Sequence, residues 1–216
     1  MERETYIVGA GGIGGHIVSN LNLYNLISAK IYFLDDDVEK LHTHHCGIKV
    51  AGNIDTLLQT SKEIDVIIAI ANPIVKSAIV MKLKKNNKIQ FPSLIANNSW
   101  FSEGVSLGEG CIIYPNCSIN YGSILGDFVL LNMNCTIGHH TNIANCSSLY
   151  PSVSTGGNTK ILDNVEIGIG SSIIQNITIG KNAVIGAGSV VINDVIGNSS
   201  VVGVPAKELK KEKNKE

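Results

Sequence analysis

The chain is 216 residues long, 44% hydrophobic and 16% charged, with 17 Lys and Arg against 18 Asp and Glu. That balance excludes a mainly disordered chain and leaves no basic field for nucleic acid or an acidic membrane surface. No apolar run nears the roughly 20 residues of a membrane helix, and the Met-Glu-Arg-Glu start lacks a signal-peptide pattern. The five cysteines include no CxxC, so the expectation is a soluble cytoplasmic protein with reduced thiols.

The first hundred residues alternate apolar runs with helix-like segments. Tyr6-Ile7-Val8 reads as a strand ending in a glycine loop from Gly9 to Gly15. Ile13, Ile17 and Leu21 then recur at i+4, which predicts a helix. Ile31–Leu34 is a second strand, ending in Asp35-Asp36-Asp37. The HTHHC segment (His42, His44, His45, Cys46) reads as a solvated loop. The alternative, a metal site, needs converging ligands that the neighbouring sequence does not offer. Val66–Ala71 is a third strand. Asn72 as N-cap and Pro73 at the first helical position start a helix to about Lys85. Phe91–Ile95 is a last short strand. The order predicts a βαβ unit with a small parallel sheet of about four strands.

From Val105 the period changes. Fifteen hexapeptides follow without insertion, from VSLGEG to SVVIND, and fourteen of their third places are aliphatic. The exception is Thr155. The first place is always Val, Ile, Cys, Ser, Thr or Ala. Such repeats predict a parallel β-helix of 18-residue triangular coils, with first and third places inward. The fold class is thus α/β plus all-β: a small Rossmann-like N-terminal domain (1–98), then a left-handed parallel β-helix with a short tail (99–216). Cys111, Cys117 and Cys135 fall at first places and read as small core fillers. Leu130, Val184 and Val190 are aliphatic at outward second places, which predicts burial between subunits of a trimer. Lys207–Glu216 reads as a solvated helix or frayed end.

Two features suggest chemistry. Gly9-Ala10-Gly11-Gly12-Ile13-Gly14 has the GxGxxG form between strand and helix, with Asp35 at the end of the next strand; taken alone, this is the dinucleotide pattern. His139 and His140 lie at the fifth and sixth places of their rung, an outward turn. Gly157, eighteen residues on, stacks one coil above His139, and the rung holding it is the one that breaks the aliphatic rule. Register alone allows two surface histidines. Irregularity beside a histidine pair favours a site.

Glycine-rich βαβ domain, uninterrupted hexapeptides, TIGHHTNI and VVGVPAKEL (Val201–Leu209) together resemble the bacterial nucleotide-sugar N-acetyltransferases and sialic-acid O-acetyltransferase-like proteins, a branch of the left-handed β-helix acyltransferases. The resemblance spans residues 5–209. It implies homotrimers with acetyl-CoA between neighbouring β-helices, no metal, and a cytoplasmic role in surface-glycan synthesis. The implied activity is N-acetylation of a nucleotide-linked amino sugar, with a 4-amino-4,6-dideoxyhexose as the expected acceptor. The base maps to His139. His140 stands where the family often has an acidic residue, and Ser148 where it often has a second histidine near the thioester. Asn132 maps to the acceptor pocket; Gly157, Ile169 and Ala187 map to coenzyme A contacts. The glycine loop then takes a nucleotide-sugar diphosphate at Gly11, Gly12 and Ile13. Asp35 and Asp36 meet the base or ribose, and Ala71 and Asn72 flank the pocket. His16 falls near the pocket rim or on the surface. Two other readings stand: a sialic-acid-type O-acetyltransferase, and a non-catalytic nucleotide-binding scaffold trimer, supported by His140 and Ser148 replacing the usual residues.

Overall fold

The computed structural model describes residues 3–24, 26, 28 and 30–209. Six strands form the N-terminal sheet: β1 (Thr5–Val8), β2 (Ile31–Leu34), β3 (His44–His45), β4 (Ile48–Gly52), β5 (Ile64–Ile68) and β6 (Ile89–Gln90). Their order is β3-β4-β2-β1-β5-β6, parallel throughout except for the β3–β4 hairpin. Helix α1 (Gly12–Ser19) packs through Ile17 on the face carrying Ile7, Phe33 and Ile67. Helix α2 (Pro73–Leu83) packs through Val80 and Leu83 on the face carrying Val8, Leu34 and Val66. Alternating residues of β1 thus serve opposite cores, as a sheet covered on both faces requires.

Local chemistry sets the helix starts. Gly14 has no room for a side chain, since a Cβ there would overlap the Gly9 carbonyl and the Phe33 ring. Only glycine lets α1 approach the strands this closely. Helix α2 begins as the sequence predicts: the Asn72 Oδ1 accepts from the amides of Ile74 (3.1 Å) and Val75 (3.0 Å), with Pro73 next.

Several expectations change. The α1 helix stops at Ser19, and Leu21–Leu23 is a separate 3-10 turn. The sheet has six strands rather than about four. His44-His45 is not a solvated loop but strand β3, because Cys46 and Gly47, at φ 47° and 78°, form the tight turn that folds it onto β4. The expected strand Phe91–Ile95 does not form: the sheet ends before it, at Ile89–Gln90, while its last two residues, Leu94–Ile95, are already the first rung of the β-helix. At the other end, Lys207–Glu208 pairs antiparallel with Val201-Val202; the rest of the expected tail, 210–216, lies outside the described residues.

The second half is the predicted left-handed β-helix, with three parallel faces of two-residue strands. The first face holds Ile112–Ile113, Leu130–Leu131, Ser148–Leu149 and Glu166–Ile167; the second, Ser118–Ile119, Thr136–Ile137 and Ser154–Thr155; the third, Ile124–Leu125, Asn142–Ile143 and Lys160–Ile161. Pairing advances by 18 residues per coil until the last, where Val184 pairs with Ser200, a step of 16. Third-place residues such as Ile113, Leu131, Leu149 and Ile167 form one continuous core.

The N-terminal domain sits on the first face. Leu94, Ile112, Tyr114 and Leu130 join its α1-side core, and Phe128 and Cys146 its α2-side core. Leu130, expected to lie between subunits, is 2% exposed for this other reason: its own N-terminal domain covers it. Val184, higher on the same face, is 38% exposed.

Candidate active site

Strands β2 and β5 flank β1 on opposite sides, so the chain reverses direction beside β1. Ligands of open parallel sheets bind in the crevice that such a reversal opens at the carboxyl ends of the strands. Two loops meet there, Gly9–Gly11 after β1 and Ala69–Asn72 after β5. A Cβ on Gly9 would come within 2.9 Å of the Ala69 carbonyl. No side chain caps α1, whose N-cap is Gly11, so its first amides face the crevice without a protein acceptor from that residue. Space beside Gly11 and Gly12 is open.

Asp35 reaches back into this loop. Its Oδ2 accepts from the Ala10 amide (2.9 Å) and Lys40 Nζ (3.0 Å), and its Oδ1 from the Asp37 amide (3.0 Å). Burial pushes the carboxyl up, but these bonds outweigh it and hold Asp35 below the ordinary range. Its Oδ2 therefore braces the glycine loop, while its Oδ1 is committed to the turn after β2. Asp36 is exposed and accepts from the Ile54 amide at 2.9 Å. Sequence reasoning missed His45, whose Nε2 donates to the Gly11 carbonyl (3.1 Å) while its ring stands edge-on to Phe33. The Cys46-Gly47 turn was the available signal. His16 is half-buried, stacked on Tyr114 at 4.2 Å and bonded to the Tyr24 hydroxyl at 2.8 Å. Burial lowers its pKa, and it joins the two domains rather than lying on the surface.

The histidine pair lies on the vertex between the second and third faces. His139 and His140 are exposed, with their Nδ1 atoms 3.0 Å apart, so one donates and the other accepts. Tyr121, one coil below, stands edge-on to His140 at 4.6 Å. Two glycines seat the rings. A Cβ on Gly157 would overlap the His139 imidazole, and one on Gly122 would meet His140 Cδ2 at 2.8 Å.

The irregular rung has a physical reason. Thr155 turns its hydroxyl to the Gly138 amide (3.0 Å), replacing the usual backbone bond between coils. Thr141 and Thr159, also inward, donate to the Gly156 carbonyl at 3.3 and 2.9 Å. Buried first-place hydroxyls recur at other vertices, as at Ser147 and Ser171, but only here does a third-place hydroxyl, that of Thr155, stand where the other rungs have an aliphatic.

One chain does not bring all the expected residues together. Asn132, Ile169 and Ala187 line the vertex between the first and second faces. Asn132 caps its own turn through the Met133 amide (2.8 Å), while Ile169 is 58% exposed. The second face separates this line from His139 and Gly157. The histidine vertex is also the one opposite the first face, where the N-terminal domain sits. Ser148 is fully buried; it accepts from Lys76 Nζ at 2.8 Å and gives its only proton to the Ala71 carbonyl at 2.6 Å, not to an open site. Lys76 was invisible in the sequence, since a lysine in a helix reads as a solvated one. The cysteines Cys111, Cys117 and Cys135 point inward as expected and bond to backbone carbonyls at 3.0–3.3 Å. Among the described residues no cluster of His, Cys, Asp and Glu has metal-holding geometry, and no helix is long and apolar enough to cross a membrane.

Residues 4–83 match the PglD N-terminal domain family, and residues 158–193 match the bacterial transferase hexapeptide family (six repeats). No curated protein sequence matches the chain. Among solved structures, WeeI from Acinetobacter baumannii superposes with a TM-score of 0.88 at 28% identity, over 96% of this chain and 100% of that one. The acetyltransferase domain of PglB from Neisseria gonorrhoeae, in complex with acetyl coenzyme A, gives 0.86 at 28% over 97% and 100%. A histidine-to-asparagine mutant of perosamine N-acetyltransferase from Caulobacter crescentus, in complex with CoA and GDP-perosamine, gives 0.87 over 96% and 97%; at 23% identity it speaks to the fold alone. A PglD-type N-terminal domain joined to hexapeptide repeats, and structures matched along nearly the full length, thus make the chain similar to left-handed β-helix proteins that include an acetyltransferase domain bound to acetyl coenzyme A.

Proposed function

We propose that the protein is an acetyl-CoA-dependent N-acetyltransferase of a nucleotide-linked amino sugar, working as a cytoplasmic homotrimer in surface-glycan synthesis. The division of labour follows the two modules: the N-terminal sheet domain takes the nucleotide, and the β-helix, which begins at Leu94, carries acyl transfer. The observation that carries the reading is the vertex at His139, an exposed imidazole with a hydrogen-bonded partner on Nδ1, set on a β-helix whose other module opens a glycine-lined crevice.

Acyl transfer from a thioester needs an amine that loses a proton as it attacks. In the productive tautomer His139 Nδ1–H donates to His140 Nδ1, leaving the lone pair on His139 Nε2 for the amine. The new C–N bond forms while the carbonyl electrons move to oxygen. His139 Nε2 takes the amine proton, and collapse of the tetrahedral species breaks the C–S bond and releases CoA, whose sulfur receives that proton. No covalent enzyme intermediate is required, which agrees with the inward, bonded thiols of Cys111, Cys117 and Cys135.

The crevice at Gly11, Gly12 and Ile13 takes the diphosphate on free helix amides, with Asp36, Ala71 and Asn72 around it and Asp35 bracing the loop. Asn132 borders the acceptor; Gly157, Ile169 and Ala187 border coenzyme A. Because the histidine vertex faces away from the chain's own N-terminal domain, a site joining them draws on two neighbouring subunits, which supports the trimer. The test is release of CoA thiol from acetyl-CoA with UDP-, dTDP- and GDP-linked 4-amino sugars. We expect turnover with one of them and none with free amino sugar. A thermal shift with NAD and no response to any nucleotide sugar refutes the reading.

A further inference from the structure

We propose that Lys76 is a positioning residue for the nucleotide pocket: its buried ammonium commits the Ser148 hydroxyl to the Ala71 carbonyl and so ties the pocket wall to the β-helix. The inference rests on the reading of the glycine-loop crevice as the nucleotide site.

Lys76 lies in the first turns of α2, is 2% exposed, and reaches across the domain boundary to Ser148 Oγ (2.8 Å) and the Ser147 carbonyl (3.5 Å). Among the described residues no carboxylate forms an ion pair with it. A charge kept buried without a counter-ion is costly, and the bonds it makes must justify it. They close a ring: Lys76 to Ser148, Ser148 to Ala71, and Ala71 back to Lys76 through the four residues between them. Direction is fixed by chemistry. A serine hydroxyl rotates freely between donor and acceptor roles, but an ammonium only donates. Facing Lys76, the Ser148 oxygen must accept, so its proton goes to Ala71. Ala71 and Asn72 form the wall facing the glycine loop, and Asn72 also caps α2. Coupling of this kind acts on ligand affinity without touching ligand.

A neutral amine at Lys76 would keep two N–H donors but gain a lone pair, so Ser148 would no longer be obliged to accept from it and the commitment of its proton to Ala71 would be lost. Burial lowers the Lys76 pKa to about 8, so the change falls in an accessible range. The titratable groups whose charge acts on it are Cys146, Cys111, which points into the β-helix core, and Glu166 on the next coil. Burial pushes the Cys146 thiol up and Cys111 to about 11, while Glu166 accepts from the Tyr150 hydroxyl at 2.8 Å.

The experiment is calorimetric titration of UDP, dTDP and GDP into the intact protein at pH 7 and pH 9, for wild type, Lys76→Met, Ser148→Ala and the double variant. Replacing a buried charge by an apolar isostere commonly leaves a fold intact, and a thermal melt checks each variant. For the nucleotide that wild type binds, Ser148→Ala should weaken affinity roughly tenfold and Lys76→Met a few-fold, at about 1.4 kcal/mol per decade. The double variant should be no weaker than Ser148→Ala, since Lys76 acts through Ser148. Wild type should lose affinity from pH 7 to pH 9 beyond the loss in both variants. Wild-type affinity in both single variants, independent losses that multiply in the double, or one shared pH dependence overturns the role of Lys76 and leaves the nucleotide reading standing. Failure of wild type to bind any of the three overturns both.

Discussion

His140 sits at φ 54°, in the left-handed region that side chains avoid. Most equivalent sixth places of the β-helix hold Asn or Gly, such as Asn134, Asn158, Asn164 and Gly122. A histidine there costs of order 1 kcal/mol, and strain kept beside an exposed histidine pair points to use. We therefore expect His140→Asn to raise the melting temperature while lowering kcat, a trade visible by calorimetry and CoA release on the same samples. His139→Ala should lower kcat by roughly 10²–10⁴, the range for a lost general base, with both KM values little changed because only transition-state stabilisation is lost. The reverse ranking, His140→Asn inactive and His139→Ala active, would assign the base to His140. Behind the pair, Thr155→Val removes the acceptor of the Gly138 amide. Leaving that half-buried donor unmet should cost about 1 kcal/mol in chemical denaturation, and the shifted turn should lower kcat as well.

Helix α2 shows how an element carries more than its propensity. Its start was legible in Asn72-Pro73, because capping chemistry is local. Its burial of Lys76 was not, because the partner Ser148 lies 72 residues away and a lysine is normally solvated. The cost has a signature. In the folded chain Lys76 loses its proton near pH 8, against an ordinary value of 10.5. Between those values the unfolded chain binds more protons, so the Lys76 contribution makes stability rise with pH. Denaturation of wild type from pH 7.5 to pH 10 should show this rise relative to Lys76→Met, which should be at least as stable as wild type at pH 7.5. A steeper rise in the variant would contradict the burial. Other elements divide in the same way. Six-residue periodicity made the coils readable from Val105 onward, since each third place meets the same core. Phe91–Ile95 was misread because Pro92 and Ser93 separate the sheet, which ends at Gln90, from the first rung at Leu94, and the six-residue period was readable only from Val105. Strand β3 was missed because HTHHC has no apolar alternation; the Cys46-Gly47 turn and the Phe33 contact make it a strand.

At the scale of the whole molecule, one sheet face couples two folds. An outward Leu130 announces burial but not the covering partner. Here the same chain's sheet covers it, which fixes where the crevice points. The glycine loop therefore lies on the first-face side, and His139 on the opposite vertex. A triangular coil with six-residue rungs is wide, at about 3.3 Å per residue along a strand, so a sugar held in the crevice does not meet His139 of its own chain. In the proposed trimer, cyclic symmetry would supply the missing half from a neighbour. This predicts complementation. Gly12→Glu puts a carboxylate into open space at the proposed diphosphate site, with no neighbour within 4 Å of the new Cβ, and His139→Ala removes the base. Each alone should be nearly inactive. Co-expressed in equal amounts, they form mixed trimers in which a site works only when an intact His139 from one chain faces an intact glycine loop from the next. In random mixtures about one site in four meets that condition, so CoA release should recover to roughly a quarter of wild type. If both groups serve the same chain's site, every chain is defective and mixing restores nothing. Sedimentation of the same mixture must show trimers, and a monomer at micromolar concentration would remove the shared site along with the trimer.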